Sequence, residues 1–260
     1  MPVNDELGKR MKEYYEQIPK TKLMRRTPVA IRLDGKAFHT FTRGFNKPFD
    51  DVLIEAMHGT MLYLCENIQG CVLGYTQSDE ITLILVDYKK LNSSAWFDYE
   101  VQKMCSIAAS MATVAFSKYF KNAVVKRLYE TPAEELRSVY GDAMNKGAMF
   151  DARVFNIPKE EVTNLIYWRQ LDATRNSIQS VGQANFSHKE LQNKSCNDIQ
   201  NMLLTERGIN WNDLPTHLKR GSCCVKIPEL DSERTHWYVD IDIPIFKDKG
   251  REYIENLINY

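Results

Sequence analysis

The sequence predicts an α+β protein in which helices pack on an antiparallel sheet. Short apolar runs alternate with long segments of helical periodicity in the order strand, helix, two strands, helix, strand. The two middle strands are joined by a tight polar connection, as in a hairpin. This order is that of the split βαβ arrangement, a ferredoxin-like sheet, which in polymerases is called the palm. After Pro158 the pattern changes and predicts a helical C-terminal extension with a short β pair.

Local signals justify each element of the first region. The helix predicted at 50–68 carries apolar residues at helical spacing, begins at a capping aspartate and is followed by Gly70. The helix predicted at 99–120 has small residues along one face, which favours close packing on the sheet. The remaining predictions are an amphipathic helix at 7–16, strands at 28–34, 71–75, 81–86 and 150–155, and a loop rich in aromatic and basic residues at 36–48.

The extension has weaker signals. Helices are predicted at 159–177 and 199–204, and an antiparallel pair of strands at 221–228 and 236–245. Between the helices, residues 180–197 are polar and only weakly periodic. We interpret them as a mobile or ligand-contacting segment, with a plain surface loop as the alternative.

Length and composition are those of an ordinary globular protein. The chain has 260 residues, of which 26% are charged and 43% hydrophobic, and its formal net charge is +0. We predict a palm-like catalytic region at 1–158 and an extension at 159–260, integrated into one unit. A neutral total argues against a generic nucleic-acid coat protein and leaves room for a local basic groove.

The sequence favours a cytoplasmic protein that does not enter a membrane. No apolar stretch approaches the ~20 residues that span a bilayer, and residues 1–10 contain no apolar signal-peptide segment. The 6 cysteines form no Cys-x-x-Cys pair and no spacing typical of zinc sites. Cys65 and Cys105 lie in apolar helical patterns and are predicted to be core thiols, as in a reducing compartment.

Two acidic clusters carry the main functional signal. Asp34-Gly35 ends the first predicted strand, and Ser78-Asp79-Glu80 lies in the tight connection. A strand ending at one aspartate and a hairpin carrying another can bring two carboxylates together. The two carboxylates repel each other unless they bind a divalent cation such as Mg²⁺. This ion prefers oxygen ligands, and its remaining coordination positions can bind phosphates. Nearby cations, Arg32, Lys36, Arg43 and Lys47, complete a nucleotidyl-transfer geometry.

Each cluster also has a plain structural interpretation. Asp-Gly is a common turn signal, and Ser-Asp-Glu occurs in polar turns and at the start of edge strands. Glu80 follows Asp79 directly, so on an extended strand it points to the opposite face. It is therefore either a group supporting the metal ligands or a surface charge.

Several stretches of the sequence match one known family. They are 31–39 (IRLDGKAFH), 47–48 (KP), 74–80 (GYTQSDE), 150–153 (FDAR), 168–172 (WRQLD) and 219–221 (KRG). With these stretches, of which 31–39 and 74–80 are the most specific, the chain resembles the tRNA-His guanylyltransferase family. These enzymes are reverse, 3′–5′, polymerases, and the likeness runs over about residues 7–225.

The resemblance implies a set of site residues. Asp34 and Asp79 would be the catalytic residues and would bind two Mg²⁺ ions together with the backbone carbonyl of Gly35. The implied substrates are tRNA, ATP, GTP and other nucleoside triphosphates, and the implied assembly is a homotetramer. The implied nucleotide-binding residues are Lys36, Ala37, Phe38, His39, Lys47, Ser78 and Lys103, and the implied tRNA contacts are Arg32, Arg153, Arg175 and Asn176. For Arg32 an ordinary salt bridge is the alternative. For Lys103 the alternative is a solvated helix lysine, and for Arg153 a structural arginine beside a strand.

The sequence departs from the family pattern at one informative place. In eukaryotic members the WRQLD-like stretch continues into a His-Ile-Asn-Asn motif linked to recognition of tRNA-His. Here Thr174 stands in the histidine position, Asn176 is kept and Ser177 replaces the second asparagine. A basic family position is also Glu100 here. The chain thus resembles the bacterial and archaeal branch, which implies templated repair of 5′-truncated tRNA after ATP activates the 5′-monophosphate.

Three other functions stay open from the sequence. The first is true guanylyl transfer to tRNA-His. More remote is a palm-type nucleotide cyclase, although the chain lacks the Gly-Gly-(Asp/Glu)-Glu-Phe signature of diguanylate cyclases. A tRNA-binding module with an inactive site is opposed by the presence of Asp34, Asp79, Ser78 and Lys47.

Overall fold

The computed structural model describes residues 5–131, 133–229 and 234–259, so the first four residues of the predicted region 1–158 lie outside the described residues. Its centre is a sheet in the order β4-β1-β3-β2-β5-β6, and every neighbouring pair is antiparallel. The order of the first four strands is that of the split βαβ arrangement, and the predicted α+β fold is confirmed. The strands are β1 Val29–Gly35, β2 Cys71–Gln77, β3 Glu80–Leu85, β4 Phe150–Asn156, β5 Ser222–Pro228 and β6 Thr235–Asp240.

Ten α-helices occur in the described part of the chain, and the longer ones cover the two faces of the sheet. One π-helical turn, Lys12–Glu16, continues the first helix, and short 3₁₀ turns precede several others. The helices are α1 Glu6–Met11, α2 Phe38–Phe41, α3 Asp51–Asn67, α4 Val101–Glu130, α5 Glu134–Lys146, α6 Val162–Asn185, α7 His188–Leu191, α8 Cys196–Arg207, α9 Thr216–Arg220 and α10 Glu252–Ile258.

Alternating side chains of β1 divide the core into two layers, because successive strand residues point to opposite faces. Ile31 and Leu33 pack with α3 and α4 on one face, together with an aromatic group of Phe38, Phe41, Phe45, Phe116, Phe120 and Phe150. Ala30 points to the other face, where α6 and α10 contribute Ile166 and Ile254. A third cluster lies between α6 and α8.

The predicted C-terminal strand pair extends the palm sheet. β5 pairs with β2 through Gly74↔Cys224 and Thr76↔Ser222, so β5 and β6 continue the same sheet. The second strand ends at Asp240 and does not reach the predicted residue 245. The division of the chain at residue 158 stays a prediction.

Two helices differ from the sequence prediction. α4 extends ten residues past the predicted end at 120, because Ala123 and Val124 continue its buried face. α5 was not predicted, although Leu136, Val139, Tyr140 and Ala143 follow the i, i+3, i+4, i+7 spacing of an amphipathic helix and pack on the core.

The interpretation of 180–197 as a mobile segment or a surface loop is wrong for its first part. α6 continues to Asn185, and a capping box at Ser187 starts α7. The helix extends because Ile178, Val181 and Phe186 bury their side chains against α8. Ser180 lines a cavity described below, which keeps the ligand-contacting alternative open.

The two cysteines predicted to be core thiols differ in their burial. Cys65 is buried, as predicted for a core thiol, whereas Cys105 is only half-buried. Among the described residues, no helix has both the length and the apolar character needed to cross a membrane.

Candidate active site

The two acidic clusters meet at one end of β1. Asp34 lies directly opposite Glu80 in the β1–β3 ladder. One residue further, the Gly35 N–H donates a hydrogen bond to the carbonyl oxygen of Asp79, with an N···O distance of 3.1 Å. The strand pairing therefore brings Asp34 and Asp79 together, although they are 45 positions apart in the sequence.

The charges at this end of the sheet repel one another. Burial raises the pKa of the Asp79 carboxyl, and the nearby carboxylates of Asp34 and Glu80 raise it further. The Ser78 hydroxyl opposes this by donating to Asp79 Oδ1 at 3.0 Å. Within the described part of the chain, neither Asp34 nor Asp79 forms an ion pair with a basic side chain. A divalent cation would relieve this repulsion.

The donor set fits a hard cation. In the described ranges, no group of three or more His, Cys, Asp or Glu side chains is arranged to hold a metal ion. The predicted set is different, because it combines two carboxylates with the carbonyl of Gly35. Mg²⁺ prefers oxygen ligands. Where it also binds phosphates, it takes few ligands from the protein and keeps several coordination positions open.

A cavity of about 580 Å³ opens beside Gly35 and Asp79, and its size is within the usual range for small-molecule sites. Its walls come from the turn after β1, the β2–β3 hairpin, the chain before α3, and the helices α6 and α9. Most of the predicted nucleotide-binding and metal-binding residues line it, namely Gly35, Ala37, Phe38, His39, Lys47, Ser78 and Asp79. Asn176, a predicted tRNA contact, lines it as well.

The turn after β1 can present backbone N–H groups to the cavity. Ala37 has φ 53, and α2 begins at Phe38, so the first N–H groups of this helix have no carbonyl partner within it. The Phe38 ring is buried in the aromatic group, which leaves only its backbone for a ligand. The Lys36 N–H donates to the Met149 carbonyl at 2.8 Å, so this N–H is not available to a phosphate, and a role of Lys36 in nucleotide binding stays a prediction.

Close packing requires a glycine at position 35. A Cβ atom at this position would lie 2.2 Å from the Phe38 ring. The ring itself lies 5.2 Å from Phe150 and 5.5 Å from Phe116, centroid to centroid, and cannot move away without disturbing them.

Six of the predicted site residues do not line the cavity, namely Asp34, Arg32, Lys36, Lys103, Arg153 and Arg175. Lys103 places its Nζ 4.9 Å from the centre of the Phe97 ring. Arg153 is opposite Arg32 in the β1–β4 ladder and is exposed. Arg175 is exposed on α6 and pairs with Asp172. The tRNA roles of these arginines stay predictions.

Glu80 is a buried member of an ion-pair network. It is 4% exposed, which rules out the surface-charge interpretation. Arg169 Nε donates to Glu80 Oε1 at 2.6 Å and Arg169 Nη2 donates to Oε2 at 2.8 Å, while Arg32 Nη2 donates to Oε2 at 2.8 Å. The salt-bridge alternative for Arg32 is thus realised, yet its buried Nε has no hydrogen-bond partner among the described residues.

Comparisons with known proteins agree with this geometry. A family model described as tRNAHis guanylyltransferase (Thg1) matches residues 8–158. The chain belongs to this family. A probable tRNA(His) guanylyltransferase of Dictyostelium discoideum is 26% identical over 248 residues, covering 90% of this chain and 86% of the relative.

Two solved structures are similar over nearly the whole chain. A bacterial Thg1-like protein in complex with ATP has a TM-score of 0.82 and 42% identity, covering 98% of this chain and 100% of that protein. A bacterial Thg1-like protein in complex with GTP has a TM-score of 0.80 and 39% identity, with the same coverage. As a member of this family, the chain is a nucleotidyltransferase of tRNA processing.

Sequence reasoning missed several residues of this Thg1-family site. His217 and Leu218 of α9 line the cavity, and the matched stretch 219–221 could have drawn attention to them. Asp50 was predicted only as a helix cap. It also accepts a hydrogen bond from Tyr140, whose helix could have been found from its apolar spacing.

Proposed function

We propose that the protein is a template-dependent 3′–5′ nucleotidyltransferase that adds nucleotides to the 5′ end of 5′-truncated tRNA. The observation that carries this proposal is the presence of Thr174 in the histidine position of the His-Ile-Asn-Asn motif, together with the hydrogen bond that its side chain forms. Its hydroxyl donates to the Gln170 carbonyl at 3.0 Å, within the same helix. Thr174 also lacks the imidazole of the family histidine, and both features support the loss of that contact to tRNA-His.

The cavity suits a nucleoside triphosphate. Lys47 supplies a positive charge for the triphosphate, Ser78 supplies a hydroxyl, and the start of α2 supplies N–H groups. The ATP and GTP complexes of the bacterial relatives support both nucleotides as ligands. Asp34, Asp79 and the Gly35 carbonyl would hold two Mg²⁺ ions. When bound, such ions activate the attacking hydroxyl and neutralise charge on the phosphates.

Two phosphoryl transfers make up the reaction. The 5′-monophosphate of the tRNA attacks the α-phosphorus of ATP, and pyrophosphate leaves. The 3′-hydroxyl of the incoming nucleotide then attacks the activated 5′-phosphorus, its proton goes to solvent, and AMP leaves. No side-chain nucleophile is needed, because positioning and charge stabilisation carry this chemistry.

The tRNA side of the proposal uses three arginines outside the cavity and one residue of its wall. Arg153 and Arg175 are exposed and would contact the tRNA backbone, with Arg32 beside the carboxylates and Asn176 in the cavity wall. Lys103 would meet a second triphosphate. Family resemblance extends the proposal to a cytoplasmic homotetramer.

The test uses a 5′-labelled, 5′-monophosphorylated tRNA that lacks its first nucleotide, with ATP, Mg²⁺ and each nucleoside triphosphate in turn. Addition of only the nucleotide complementary to the opposite base of the acceptor stem is expected. Repeating the assay with that opposite base changed should change the added nucleotide accordingly. Guanine addition regardless of the template and confined to tRNA-His would refute repair and establish a true guanylyltransferase. No extension of a 5′-triphosphorylated tRNA, with formation of a cyclic nucleotide, would refute polymerisation altogether.

A further inference from the structure

The chain between α2 and α3 carries Lys47 into the cavity and has no regular structure of its own. We call residues 42–50 the Lys47 loop. Lys47 is exposed, and within the described residues its side chain forms no ion pair. Its position therefore depends on how the loop backbone is held on either side of it.

Both sides of the loop are held by the same side chain, Tyr140 of α5. On the N-terminal side of Lys47, the Phe45 ring is buried and packs edge-on against the Tyr140 ring, with centroids 5.2 Å apart. On the far side, the Tyr140 hydroxyl donates to Asp50 Oδ2 at 2.9 Å. Tyr140 is 0% exposed, so this contact is shielded from water.

Asp50 passes this restraint on to the loop backbone. Its Oδ2 also accepts the N–H of Asn46, the residue directly before Lys47, at 3.0 Å. Its Oδ1 accepts the N–H of Leu53 at 3.0 Å and caps α3. One carboxylate thus joins α3, α5 and the backbone next to Lys47, and Tyr140 orients that carboxylate.

A close approach between α5 and the loop completes the arrangement. Gly44 has φ 89, and a Cβ atom there would lie 3.1 Å from Val139, the neighbour of Tyr140. The loop therefore lies directly on α5, and small displacements of this helix would move Lys47.

We propose that Tyr140 is a positioning residue for the nucleoside triphosphate, acting through Asp50 and the Lys47 loop to place the Lys47 ammonium group against the phosphates. The inference rests on the proposed role of Lys47 in triphosphate binding. It assigns a function to α5, which does not line the cavity. Misplacing a charged group by a fraction of an ångström weakens its contribution to binding, because such sites rely on preorganised geometry.

The test compares ATP binding, with Mg²⁺ and without tRNA, in four variants. Tyr140→Phe removes only the hydroxyl and keeps the ring. Tyr253→Phe is the matched control, because its hydroxyl donates to Asp240 at the same distance of 2.9 Å on the other face of the sheet. Lys47→Ala removes the charge, and Tyr140→Phe/Lys47→Ala tests whether the two act as one unit.

Tyr140→Phe is expected to raise the Kd for ATP about three- to tenfold, and Tyr253→Phe to leave it unchanged. In the Lys47→Ala background, Tyr140→Phe should have no further effect. An unchanged Kd for Tyr140→Phe, equal losses in the two tyrosine variants, or additive effects with Lys47→Ala would each overturn the inference. Failure of the tRNA repair assay would instead refute the proposed function, since ATP binding is measured without tRNA.

Discussion

Removal of Arg169 is the sharpest test of how the carboxylate end of the sheet is held together. The side chain of Arg169 is 6% exposed and the side chain of Glu80 is 5% exposed. Arg169→Met would remove two hydrogen bonds to Glu80, at 2.6 and 2.8 Å, and one to Asp172 at 2.8 Å. Arg32 would remain the only described cation bonded to the buried Glu80.

The expected loss of stability follows from the buried Glu80 charge, which would keep Arg32 and lose Arg169. Removing one partner of a buried ion pair costs about 3–5 kcal/mol, because the remaining charge stays desolvated. For a chain of this length, a loss of this size lowers the Tm by about 6–20 °C. Urea unfolding followed by tryptophan fluorescence, together with calorimetry, measures both quantities.

Arg175→Met is the matched control for this prediction. Arg175 lies on the same helix and pairs with the same Asp172, yet it is 61% exposed. Its loss should cost only about 0–1 kcal/mol, as for surface ion pairs. If Arg169→Met lost no more stability than Arg175→Met, the argument that Glu80 depends on Arg169 would be refuted.

Three further predictions concern activity, backbone strain and pH. Asp79→Asn should abolish nucleotidyl transfer, because it removes a proposed metal ligand. It should not lower the Tm, because the lost charge is buried and repelled by the nearby carboxylates. Activity and melting assays on the same preparation test this, and retained activity would contradict it. Gly221→Ala should lower the free energy of unfolding by about 1–3 kcal/mol, because Gly221 has a φ of 81° and a Cβ atom would lie 2.5 Å from the Thr76 carbonyl oxygen. Gly141→Ala on α5 is the control. A Cβ atom there would meet open space, so this variant should be as stable as the parent or more stable in the same thermal melts. Burial lowers the pKa of His58 to about 4, and the nearby His217 lowers it further in the same direction. As the pH falls from 7 to 5, His58 is therefore protonated in the unfolded chain and stays neutral in the folded one. The free energy of unfolding should fall by about 2 kcal/mol over this range. His58→Gln should reduce that dependence in urea titrations, and an equal pH dependence in both proteins would count against a neutral buried His58.

Much of the fold could be predicted because its signals are local. Apolar periodicity located the strands and helices of the palm, since period and turn residues act over a few neighbouring positions. The two errors of the sequence prediction also had local causes. The helical spacing of Leu136, Val139, Tyr140 and Ala143 was overlooked, and the polar composition after residue 180 concealed the buried Ile178 and Val181.

The site was predictable where its residues come from strand ends. Asp34 and Asp79 could be expected to meet because a hairpin beside β1 allows few other arrangements. The partners of Glu80 and Asp50 could not be identified in this way. Arg169 and Tyr140 lie 89 and 90 positions away from them, and nothing in the spacing indicates those contacts.

The sequence by itself determined the order of the first four strands, the family, and the two carboxylates, Asp34 and Asp79, that the β1–β3 pairing brings together. Only the tertiary structure decided that Glu80 is buried between Arg32 and Arg169, that the Lys36 N–H is occupied, and that α5 supports the Lys47 loop. The physical reason is the range of the interactions. Backbone periodicity and turn formation depend on adjacent residues, whereas desolvation and the pairing of buried charges depend on which distant segments the fold brings into contact.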